Sequence, residues 1–106
     1  MPQEYITVMT TVPSKSEADN IANSLLQEKL AGCVQIIGPI TSHYCWQNQI
    51  YNDEEWICFI KSSQVLYDEL EQKILQIHPY EVPEIIALPI VKGSADYLGW
   101  LAQNLK

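Results

Sequence analysis

The residues best suited to chemistry sit in one short segment, His78-Pro79-Tyr80-Glu81-Val82-Pro83-Glu84. An imidazole followed by the carboxylates of Glu81 and Glu84 is a donor set that suits copper or zinc. His78 also closes a helical pattern, where an imidazole cap on a helix C-terminus explains it equally well. His43 and Cys45 form a second pair, one residue apart and therefore on one face of a strand. That spacing can chelate a soft or borderline cation, although an exposed histidine beside an inert thiol is the plainer reading. Ser42, Tyr44 and Trp46 share the opposite face, which reads as a packed interface. On a later strand Glu55, Ile57, Phe59 and Lys61 share a face, with Glu55 and Lys61 roughly 20 Å apart. They cannot pair within the strand, but each can meet a partner at a subunit junction. Tyr97 and Trp100 on the last helix read as packing before ligand contact. No nucleophile–base pair and no acid–base dyad stands out, so no enzymatic role is expected.

Composition narrows the partners. The chain has 106 residues, a length for one domain spanning 1–106. Thirteen acidic residues stand against six basic ones, a net charge of −7. All six are lysines, so guanidinium clamping of phosphate or carboxylate is excluded. Scattered lysines on an acidic surface argue against nucleic acid and for attraction to cations. No apolar run approaches the ~20 residues of a membrane span. Met1-Pro2-Gln3-Glu4 lacks a basic region and an apolar core, so no secretory signal is expected. Cys33, Cys45 and Cys58 are odd in number and widely spaced. They read as buried or half-buried free thiols in a reducing cytosol, with neither a disulfide framework nor a zinc motif.

The elements that position these groups follow from periodicity. Glu4–Val12 alternates as a strand and stops at Pro13. Ser14-Lys15-Ser16-Glu17 is a capping box for a helix with Ala18, Ile21, Ala22, Leu25, Leu26 and Leu30 on one face, ending near Gly32. Cys33–Ile37 is a short strand, and Gly38-Pro39 predicts a bend or bulge. Ile40–Trp46 resumes it, Gln47-Asn48-Gln49 turns, and Ile50–Lys61 returns. Ser62 and Ser63 offer a cap to a second helix carrying Leu66, Leu70, Ile74 and Ile77. A rigid 78–83 loop leads to a strand over Glu84–Val91, placed at an edge by Pro89. Ser94 caps a terminal helix.

The order βαββαβ plus a C-terminal helix is the ferredoxin-like split βαβ pattern, an α+β fold with both main helices on one sheet face. A strand of about 12 residues spans roughly 40 Å, against a diameter of roughly 35 Å for a compact domain this size. The long hairpin of residues 40–61 therefore overhangs its own helices, and one sheet face stays uncovered unless something packs on it. Association with other copies resolves both, although this argument does not choose their number.

Several ferredoxin-like families fail on their motifs. A metal chaperone needs Cys-x-x-Cys where this chain has Thr10-Thr11-Val12-Pro13, and an acylphosphatase needs an arginine. An RNA-recognition strand does not read Asp53-Glu54-Glu55-Trp56. Other motifs cohere in order: Leu30-Ala31-Gly32-Cys33-Val34, Ser42-x-Tyr44-x-Trp46, Glu55 with Ile60-Lys61-Ser62, the His78–Glu84 segment, and Gly93-x-x-x-Tyr97-Leu98-x-Trp100. Together they resemble the CutA divalent-ion tolerance family, from about Ile6 to Trp100. The usual Leu-Ala-Ala-Cys is Leu-Ala-Gly-Cys here. Met9-Thr10 stands where some members carry a thiol, so the resemblance does not carry over a metal site relying on that thiol.

The resemblance implies a non-enzymatic, cytoplasmic homotrimer of divalent-metal tolerance that binds copper(II) or a related cation, with no obligatory cofactor. It adds Cys33, the family's recurrent cysteine, to His78, Glu81 and Glu84 as a metal candidate; a small buried residue at a helix-to-strand junction is its competing role. A second expectation is a trimeric small-metabolite sensor with clefts between subunits, anchored by Lys61 and Glu55 with Trp46 as a wall. A third is a scaffold using its strand edges.

Overall fold

The computed structural model describes residues 4–106; the reading of Met1-Pro2-Gln3 lies outside them. Strand β1 (Tyr5–Val12) leads to helix α1 (Lys15–Gln27), then β2 (Cys33–Trp46) and β3 (Gln49–Ser63). A 3-10 turn (Gln64–Leu66) enters α2 (Tyr67–Ile77), followed by β4 (Ile86–Ile90) and α3 (Ala95–Gln103). The strands lie in the order β2-β3-β1-β4, and each neighbouring pair is antiparallel. This is the α+β, ferredoxin-like arrangement expected from the element order, with β4 at an edge as Pro89 requires. Among the described residues no helix is long and apolar enough to cross a membrane.

One sheet face carries Ile6, Val8, Val12, Cys58 and Ile60, all buried against Ile21 and Leu25 of α1 and Leu70 and Ile74 of α2. Helix periodicity meets strand alternation here, and each element presents one apolar face to the other. The opposite face is only partly covered, with Glu55 buried at one end beside Tyr80. Met9, Ile57 and Phe59 are only half-buried on it, while Ile37, Ile86 and Leu88 are exposed. The body measures 45 × 25 × 23 Å, elongated by the β2–β3 hairpin.

Local signals held in part. The Ser14 hydroxyl accepts from the Glu17 N–H at 3.2 Å, and Ser94 does the same for Tyr97. Neither Ser62 nor Ser63 caps α2, because β3 continues through both. The fully buried Ser62 hydroxyl donates instead to the Leu30 carbonyl at 2.7 Å. Helix α1 ends before Gly32, and the left-handed residue after it is Lys29, with φ 57°. Leu26 is exposed rather than part of the buried stripe. The hairpin turns on Gln47 and Asn48, both at positive φ, as a two-residue turn requires.

The Gly38-Pro39 bulge has the largest structural consequence. Ile37 pairs with Ile57 but Ile40 pairs with Glu55, so two residues of β2 face Trp56 alone. The extra residue inverts the alternation along β2. Cys33, Gln35 and Ile37 therefore share a sheet face with Ile40, Ser42, Tyr44 and Trp46, and also with Glu55 and Lys61 of β3.

Candidate functional site

A cleft of about 780 Å³ opens between the distal half of the β2–β3 hairpin and the loop of residues 79–84. The hairpin supplies Ser42, His43, Tyr44, Trp46, Asp53 and Glu55, and the loop supplies Pro79, Tyr80, Glu81, Val82, Pro83 and Glu84. Its walls combine aromatic rings with four carboxylates.

Two phenol–carboxylate pairs organise it. The Tyr80 hydroxyl donates to Glu55 Oε2 at 2.6 Å, and the Tyr44 hydroxyl donates to Asp53. Bonding to Asp53 pushes the Tyr44 phenol up to about 12, and burial followed by the Glu55 bond raises Tyr80 further. Both phenols therefore remain donors at neutral pH. Tyr44 also stacks on Tyr51, its cross-strand neighbour, with ring centroids 5.8 Å apart.

His78 holds the loop against the sheet. Its ring is buried, Nε2 donates to the Thr11 carbonyl at 2.9 Å, and Nδ1 accepts from the Tyr80 N–H at 3.1 Å. That pattern needs the neutral Nε2–H tautomer, and burial lowers the imidazole pKa in the same direction. His78 is the C-terminal cap residue of α2, in extended conformation, and its N–H bonds the Ile74 carbonyl. It caps through its backbone; the ring forms a latch between β1 and the loop.

The metal set expected from the sequence is not brought together in one chain. Glu81 and Glu84 line the cleft, whereas both His78 nitrogens are already engaged. Cys33 pairs with Lys61 toward the other end of β3 and touches Tyr97. Among the described residues no three His, Cys, Asp or Glu side chains converge as a metal site. Lys61 bonds Gln35 at 2.8 Å and stands apart from the cleft that holds Glu55 and Trp46. The expected sensor triad is therefore divided within one chain. Burial and the Cys33 thiol raise the Tyr97 phenol pKa, and the Tyr97 and Trp100 rings lie tilted against each other with centroids 5.7 Å apart. Tyr80, Asp53 and Val82 were missed as site residues by the sequence reading. The Tyr inside the His78–Glu84 motif was the available signal.

The thiols differ in access. Cys45 is exposed, contrary to the expected burial, Cys33 is half-buried and Cys58 is buried. Burial, with a smaller contribution from Asp19, pushes the Cys58 thiol up to about 11. Labelling with a disulfide reagent at pH 8 is expected to modify Cys45 first and to leave Cys58 untouched until denaturant is added. Loss of the fast phase in Cys45→Ser checks the assignment.

The sequence pattern described as CutA1 divalent ion tolerance protein matches residues 6–104. The chain is 42% identical over 97 residues to the divalent-cation tolerance protein CutA of Thermus thermophilus, covering 92% of this chain and 94% of that one. It is 43% identical over 101 residues to the chloroplastic protein CutA of Arabidopsis thaliana. That match covers 95% of this chain, which spans 56% of the plant protein's length. The solved structure of the Thermus thermophilus divalent cation tolerance protein superposes with a TM-score of 0.94 at 40% identity, covering 96% of this chain and 99% of that one.

Proposed function

The chain belongs to the CutA1 divalent ion tolerance family, and from that premise we propose that it is a non-enzymatic homotrimer of divalent-metal tolerance that binds copper(II) or a related cation. The acidic cleft is the observation that carries the cation reading: Asp53, Glu55, Glu81 and Glu84 line it with no lysine among them. The Irving–Williams order places copper(II) first among the divalent candidates. Since no three donors converge among the described residues, a complete site takes ligands from two subunits, with Glu81 and Glu84 from one and Cys33 a candidate from the next. The exposed Ile37, Ile86 and Leu88 of the second sheet face and the long hairpin support assembly, because both present surface that a neighbouring copy would cover. The relatives' naming as tolerance proteins supports a role without catalysis, and a cytoplasmic location is part of the proposal.

Light scattering is expected to return three times the 12.1 kDa chain mass. Calorimetric titration with copper(II) is expected to saturate, and to weaken in Glu81→Gln and in Cys33→Ala. A stable monomer overturns the assembly. Unsaturable heats, or binding equal in wild type and both variants, overturn the metal assignment.

A further inference from the structure

We infer that the subunits join through a repeated ion pair: the half-buried Lys61 of one copy enters the acidic cleft of the next and meets Glu55 there. The inference rests on the homotrimer reading and adds to it the contact that orients one copy on another.

The first observation is how charge is laid out on one face of the sheet. Asp53, Glu55 and Lys61 share the face of β3 away from the helices, by its period of two. Lys61 is the only lysine in the four strands. It is half-buried, and its ammonium donates to a neutral partner, the Gln35 amide oxygen, at 2.8 Å. The ion pairs among the described residues lie elsewhere, joining Lys15 to Asp19, Lys73 to Glu28 and Lys106 to Glu69. Toward the other end of the same strand, four carboxylates line the cleft with no lysine among its walls. Glu55 accepts from Tyr80, which fixes its carboxylate but does not balance its charge. Roughly 20 Å of strand separates Glu55 from Lys61, so no rotamer joins them within a chain.

The second observation is that this is the face a neighbouring copy covers. Ile57 and Phe59 lie between the two charged ends and are only half-buried. Laying cleft against cleft would press carboxylates together, a like-charge contact that costs stability. A head-to-tail contact instead sets the lysine end of one copy on the acidic end of the next, and it repeats around a closed ring. Every copy then gives one lysine and receives one. Each charge leaves water together with its opposite, the arrangement that limits the cost of burying either. One lysine against four carboxylates leaves the cleft acidic, so it still attracts cations. Cys33 lies opposite Lys61 on β2 and travels with it to the junction, where the proposed cation site draws on it.

The test reads subunit exchange between isotope-labelled and unlabelled protein, the whole 106-residue chain, by native mass spectrometry, after light scattering has given the assembly mass. Glu55→Gln keeps an acceptor for Tyr80, and Lys61→Met keeps the aliphatic stem. Each is expected to speed exchange about 10-fold or more, because each leaves the opposite charge buried and alone. The double variant is expected to exchange no faster than the quicker single one. Two residues ~20 Å apart within one chain would instead act independently, and their factors would multiply. Lys92→Met, exposed and outside the strands, is expected to exchange as wild type does. Unchanged exchange in either single variant, multiplied factors in the double one, or equal acceleration in Lys92→Met overturns the ion pair and leaves the trimer standing. A wild-type monomer overturns the homotrimer reading, and the pair falls with it.

Discussion

Replacing His78 by alanine is expected to destabilise the protein by roughly 2–4 kcal/mol, the cost of orphaning two buried polar groups and removing a buried ring. The Thr11 carbonyl loses its donor and the Tyr80 N–H loses its acceptor. The loop of residues 79–84 then loses the polar tie to β1 that His78 provides, and Tyr80 loses the support that aims it at Glu55. The effect carries a pH signature. Burial lowers the folded-state pKa of His78 below its ordinary 6.5, outweighing the Thr11 bond and the nearby Glu17 and Glu55 charges. As pH falls below about 6.5 the unfolded chain takes up a proton that the folded one refuses, so the latch's contribution is full above that value. It declines as pH drops toward the folded pKa. The stability gap between wild type and His78→Ala, followed by urea unfolding at fixed protein concentration, should narrow from pH 7.5 to pH 5. A constant gap would mean that the ring acts by packing alone.

Gly38→Ala is expected to cost about 2 kcal/mol, within the range for forcing volume into a packed site. A Cβ at Gly38 would fall inside contact distance of the Trp56 indole, which packs against the core. The indole faces the bulge because two residues of β2 oppose it. Relief requires moving either the ring or the bulge, and the bulge sets which side chains of proximal β2 share a face with the distal hairpin. Gly99→Ala is the control. Gly99 lies within α3 with no atom within 4 Å of an added Cβ, so alanine should stabilise by about 0.5–1 kcal/mol. Thermal unfolding of the two variants side by side should give shifts of opposite sign.

The readable features are those with local causes. The alternation of β1, the stripe of α1, the Ser14 and Ser94 caps and the edge position imposed by Pro89 all appear where the pattern places them. The caps expected of Ser62 and Ser63 failed because strand pairing to β1 extends through both, a long-range contact that outweighs a local preference. His78 was legible as a helix end and as a cation ligand. Its actual partner, Thr11, lies 67 residues away in the chain, and no spacing rule reaches that far.

From the sequence alone came the element order, the two strand-face groupings, the absence of arginine and the family motifs. Each depends on residue type and short periodicity. The tertiary structure decided that those two groupings share one face of the sheet. The register of the two-residue hairpin puts Tyr44 and Trp46 on the side of Glu55, and a single extra residue at Gly38-Pro39 inverts the alternation of β2 so that Cys33, Gln35 and Ile37 join them there. It also decided that Glu81 and Glu84 meet them, because the His78 latch folds the loop back against β1. Faces follow from a period of two, but which faces coincide depends on register, and register is set by pairing between strands.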